Sequence, residues 1–172
     1  MRKKIFFSFW MTWLTAGIWT AGIFPSAQAQ AFFEEDALVG QSAPDFALKV
    51  FNGGKVNMTK FRENKSAIIF FWATWCPHCR QALRQLNQKL AEMENKGIKV
   101  MLLDVGEEEK DVKRYVEKNK IDLTIFLDRE SSLSESYGII GVPTFVFVDE
   151  KGMVRAVEHV LPEDYEKILK GR

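Results

Sequence analysis

The chain has 172 residues, 24 Lys and Arg against 23 Asp and Glu, a formal net charge of +1 and two cysteines. That length suits one domain with its own core once a leader is removed, and the absence of any basic block or aromatic-basic interleaving excludes nucleic acid as a natural partner. Two cysteines do not make a disulfide-stapled fold.

The first 29 residues read as an export signal. Arg2, Lys3 and Lys4 precede an uncharged stretch from Ile5 to Phe24, and Pro25-Ser26-Ala27-Gln28-Ala29 supplies an A-x-A site that predicts cleavage before Gln30. The alternative is an uncleaved inner-membrane anchor through residues 5–24. The segment is nearly long enough to span a bilayer and carries Trp10, Trp13 and Trp19, although Ser8, Thr12 and Thr15 dilute it. Either outcome places the remainder outside the cytoplasm, in the periplasm or facing it. Without the basic leader residues the charge balance turns slightly negative. Residues 30–39 read as a linker and residues 40–172 as the folded domain.

From Gly40 onward strands and helices alternate. Ala43-Pro44-Asp45-Phe46-Ala47-Leu48 leads into a short strand, Gly53-Gly54 marks a hairpin turn, and Val56 to Met58 is the return strand. Thr59 is placed to cap a brief helical turn. Ala67 to Trp72 has no polar alternation, the pattern of a central strand covered on both faces. The next helix carries Leu83, Leu86, Leu90 and Met93 on one stripe and ends at Gly97. A strand from Ile98 to Val105, an amphipathic helix from Glu107 to Lys118 and a strand from Leu123 to Leu127 follow. Then come a short helix from Ser131 to Tyr137, a hairpin from Val142 to Val160 with Pro143 at its start, and a closing helix opened by Pro162. This order predicts an α/β fold with a mixed central sheet flanked by helices and an N-terminal β-hairpin extension.

Both cysteines fall where the central strand gives way to the long helix, in Trp75-Cys76-Pro77-His78-Cys79-Arg80. A pair with two residues between can close and open a small disulfide repeatedly. Pro77 suits the first helical position, which puts Cys76 at or next to the N-cap, where orphan amides and the helix dipole favour a thiolate. Thiols so placed fall from a free pKa of about 8.5 to roughly 3.5–7.5. His78, when protonated, adds a second favourable charge. Cys76 is therefore read as the attacking thiol and Cys79, one turn in and facing the protein, as the resolving one. A c-type haem site needs His where Arg80 stands, and a structural zinc site lacks its four ligands. A Cu(I) site using both sulfurs and a histidine stays open as an alternative from another functional class. His159 reads as a surface residue on the last strand.

These segments resemble the TlpA/ResA-like branch of the thioredoxin superfamily, also called redoxin or AhpC/TSA-type domains. The likeness rests on Ala43-Pro44-Asp45-Phe46, on Phe71-Trp72-Ala73-Thr74-Trp75-Cys76 through Cys79-Arg80, and on Tyr137-Gly138-Ile139 with Gly141-Val142-Pro143-Thr144. It implies a thioredoxin-like fold, a thiol-disulfide oxidoreductase with Cys76 and Cys79 as a redox-active disulfide, and no cofactor or metal. It implies a cis Pro143 beside the pair, with Trp75, Val142 and Pro143 binding a substrate strand by backbone pairing and Pro77 and His78 tuning the redox chemistry. The implied partners are protein thiols and disulfides, with a membrane or periplasmic redox protein for recycling. Reduction of partner disulfides, as in cytochrome c maturation, is the direction the family implies.

Departures from the family pattern bear on mechanism. Ala82 stands where many members carry a glutamate, and Phe70 where thioredoxins bury an aspartate, so both usual proton acceptors for the resolving thiol are missing. Arg84 replaces a common helix proline, so no kink is expected. Ala73 and Ile69 replace the Thr and Pro that peroxidases need. The Pro77-His78 dipeptide resembles that of disulfide-introducing enzymes, which makes oxidation or isomerisation the alternative direction.

Overall fold

The computed structural model describes residues 36–171. The leader, with its cleavage and anchor expectations, lies outside the described residues. A short 3-10 turn at Asp36–Leu38 opens the described chain, and Gly40 N–H donates to the Val154 carbonyl at 2.8 Å.

The sheet is organised around β3 (Ala67–Trp72), whose six residues are all buried. It pairs parallel with β4 (Lys99–Val105) and antiparallel with β6 (Thr144–Val148). β5 (Ile125–Asp128) extends the parallel part, and β7 (Val154–Glu158) pairs with β6. The hairpin of β1 (Ala47–Val50) and β2 (Lys55–Asn57) joins through an antiparallel β1–β5 pairing. The seven-stranded order is β2-β1-β5-β4-β3-β6-β7, a mixed sheet as the alternation predicts.

The unbroken apolar run of β3 follows from its central place, because alternate residues feed two cores. Ile68, Phe70 and Trp72 face the core covered by α2 (Pro77–Asn95), α3 (Glu109–Asn119) and α5 (Tyr165–Leu169). Ile69 and Phe71 face the core closed by α1 (Met58–Arg62) and α4 (Ser132–Ser136). The apolar stripe of α2 buries Leu83, Leu86 and Met93 on the first of these cores. Truncating a fully buried leucine such as Leu86 to alanine costs about 2–5 kcal/mol, enough to threaten a domain of ordinary stability. α2 therefore has a rigid seat, and its N-terminus carries the cysteines.

Several boundaries differ from the sequence reading. Asn57, rather than Thr59, caps α1, its side chain accepting the Lys60 amide at 3.2 Å. Val142 and Pro143 stand outside β6, which begins at Thr144. Pro162 does not open the closing helix, which is the short α5 preceded by Asp164. α2 runs unbroken through Arg84 for 19 residues to Asn95, and Gly97 just past its cap, with φ of 72°, lets the Ile98 amide return to the Met93 carbonyl.

Candidate active site

Pro77 occupies the first turn of α2 and Cys76 is its N-cap, with extended backbone at φ −81° and ψ 113°. Cys76 Sγ receives the backbone N–H of Cys79 at 3.1 Å, the position that a serine or aspartate oxygen takes at other helix starts. The two sulfurs are joined as a disulfide with Cα atoms 5.3 Å apart. Both cysteines are buried, Cys79 completely. Trp75, by contrast, is 66% exposed, and His78 is exposed and makes no side-chain hydrogen bond among the described residues.

The facing wall is the loop before β6. The Val142–Pro143 bond is cis, and the Val142 carbonyl oxygen lies 3.7 Å from Cys76 Sγ. The fold thus sets Cys76, with Trp75, Pro77, His78 and Cys79 as its neighbours in the chain, against the loop that carries Val142 and Pro143. Thr144 Oγ1 donates to the Gly141 carbonyl at 2.8 Å. His159 is exposed as expected, yet its Nδ1 sits 3.0 Å from the Pro143 carbonyl oxygen, so it belongs to this wall.

Two carboxyls not singled out from the sequence stand beside the strand end and loop that lead into Cys76. Position 70 is filled by a Phe70 ring stacked on Phe145 at 4.4 Å, and Ala82 is buried in the same core as Cys79. Asp104 lies on β4 opposite Trp72 on β3, fully buried, with the Glu107 carboxyl as its side-chain neighbour. Burial first, then the nearby Glu107 and Asp128 carboxyls, push its pKa up to about 9. Glu107 in turn accepts both the Thr74 amide and the Thr74 hydroxyl, which fixes the loop entering Cys76. The available signal for Asp104 was a lone charged residue within the apolar run Val100-Met101-Leu102-Leu103-Asp104-Val105. Glu107 and His159 left no comparable mark.

Among the described residues no group of three or more His, Cys, Asp or Glu side chains is placed to hold a metal ion. A cavity of about 480 Å³ lies at the opposite end of the sheet, lined by residues such as Ser66, Lys96, Asp149 and Arg155, and includes neither cysteine. Of the redox pair only Cys76 has any exposure, 3%, next to the exposed Trp75.

Comparison with known proteins agrees with this geometry. The family model "AhpC/TSA family" matches residues 39–157. The chain is 29% identical over 130 residues to the thiol-disulfide oxidoreductase ResA of Geobacillus thermodenitrificans, covering 75% of this chain and 74% of that one. A structure from Chlorobium tepidum assigned as a thiol:disulfide interchange protein DsbE superposes with TM-score 0.68 at 29% identity, covering 77% of this chain and 94% of that one. The thioredoxin domain of a thiol-disulfide oxidoreductase from Bacteroides vulgatus gives 0.67 at 26% identity, covering 77% and 96%. The chain belongs to the AhpC/TSA family as a TlpA/ResA-like member of the thioredoxin superfamily.

Proposed function

We propose that the protein is an extracytoplasmic thiol-disulfide oxidoreductase that exchanges its Cys76–Cys79 disulfide with partner proteins. The observation that carries this reading is the Cys76 sulfur at the N-cap of α2, with the Cys79 amide donated to it and the Val142 carbonyl beside it. In the reduced protein the same amide and the helix end stabilise a Cys76 thiolate. That thiolate attacks a partner disulfide, forming a mixed disulfide and releasing one partner thiolate. Cys79 loses its proton and attacks Cys76 Sγ, which re-forms the internal disulfide and releases the second partner thiolate. The partner gains two electrons and, from solvent, two protons. Sulfur carries the electrons throughout, so no cofactor is needed.

Trp75 supplies apolar contact, and the backbone of Val142, ahead of Pro143, is open to pair with an extended partner chain. A periplasmic or membrane dithiol protein returns the electrons. Reduction, in the setting of cytochrome c maturation that the family resemblance implies, is the favoured direction; the Pro77-His78 dipeptide favours oxidation or isomerisation as the second reading.

The test is trapping. Cys79→Ser in the full-length protein should accumulate mixed disulfides with periplasmic proteins, and Cys76→Ser should abolish exchange. If Cys79→Ser traps nothing while the wild type binds Cu(I) stoichiometrically, a copper-carrying role replaces this one. The reduction potential sets direction: a value near −270 mV, thioredoxin's, supports a reductase, and one far more positive an oxidant.

A further inference from the structure

We infer that His159 is a positioning residue for the substrate-binding loop, holding the open backbone of Val142 in register with the Cys76 sulfur. This inference rests on the oxidoreductase reading above and adds a residue that acts only through the loop, without touching the partner or the sulfurs.

The need for such a residue follows from where the β6–β7 ladder stops. Its last pair is Phe145 with Glu158, so Thr144 and His159 stand one step beyond it, at the edge nearest the cysteines. Among the described residues Gly141 and Val142, the part of the loop that faces Cys76, enter no backbone-to-backbone hydrogen bond. Pro143 has no N–H to give. The loop that faces Cys76 is therefore held by side chains. Thr144 Oγ1 spends its proton on the Gly141 carbonyl at 2.8 Å.

His159 supplies the remaining tie. Its Nδ1 lies 3.0 Å from the Pro143 carbonyl oxygen and 3.3 Å from Thr144 Oγ1. A carbonyl oxygen can only accept, so Nδ1 carries the proton. The hydroxyl, its own proton already directed to Gly141, accepts as well, and one Nδ1–H serves both neighbours. The contact spans 16 positions of sequence and joins β7 to the carbonyl directly after Val142. Loss of the tie would leave the sulfur chemistry in place and let the Val142 backbone wander. The expected cost thus falls on partners that use the backbone, not on small disulfides that reach the sulfur alone.

The experiment compares two substrates: an extended peptide carrying a disulfide, and dithiodipyridine, which is too small to pair with the loop. For His159→Ala, the peptide KM should rise roughly three- to tenfold, the loss of one hydrogen bond, with kcat, the dithiodipyridine rate and the reduction potential unchanged. His159→Asn, whose side-chain amide can reach the Pro143 carbonyl, should restore much of the peptide KM. An unchanged KM in His159→Ala, an equal slowing on both substrates, or no rescue by asparagine would overturn the inference. A wild-type protein inert toward both disulfides would instead overturn the oxidoreductase reading itself.

Discussion

Asp104 on β4 sits directly opposite Trp72 on β3, and both side chains are completely buried. A carboxyl so placed is held neutral in the fold, and its pKa is pushed up to about 9 chiefly by burial. The unfolded chain, with an ordinary carboxyl near 4, binds fewer protons than the native state above that pH. Stability should therefore fall as pH rises from about 4 toward about 9, by at most roughly 4 kcal/mol at pH 7. Asp104→Asn should flatten that slope and stabilise the protein at pH 7 by about 1–3 kcal/mol. Urea unfolding at acid, neutral and alkaline pH measures this, and a slope identical to wild type would assign the effect to another group.

Glu107 links the same acid to the active-site loop through Thr74. Glu107→Ala should cost about 1–2 kcal/mol at neutral pH by leaving the part-buried Thr74 amide without its acceptor. It should also shallow the pH slope, because Glu107 is one of the groups raising the Asp104 pKa. A double-mutant cycle with Asp104→Asn checks the link, and strictly additive effects at every pH would deny it.

His78 is exposed and without a hydrogen bond, so its influence on the pair is that of a surface charge. Such charges contribute about 0–1 kcal/mol, which for a two-electron couple is at most about 20 mV. His78→Ala should lower the reduction potential by no more than that. Equilibration against a glutathione buffer reads the shift, and a much larger one would mean that His78 contacts the sulfur in the reduced protein.

For the leader, mass spectrometry of protein from fractionated cells should find a mature N-terminus at Gln30 in the periplasmic fraction. Intact chain beginning at Met1 in the membrane fraction would establish the anchor instead.

The redox pair and its helix were legible without coordinates because their physics is local. Two-residue spacing, Pro77 at the first helical turn and an apolar run ending at Trp72 are relations among neighbours in sequence, and they determined the N-cap sulfur, the central strand and the buried stripe of α2. The mixed sheet followed from the same periodicities. The resemblance, rather than periodicity, brought Pro143 to the site. Other features depended on packing alone. Asp104 owes its perturbed acidity to burial between the strands on either side and to the Glu107 and Asp128 carboxyls, and an aspartate in Leu102-Leu103-Asp104-Val105 looks alike whether its strand end is dry or wet. His159 meets Pro143 only because β7 pairs with β6 in one register, and a one-residue slip would turn it to the other face. Tertiary structure decided these features because burial and long-range pairing belong to the neighbours of a residue in space, which its neighbours in sequence do not specify.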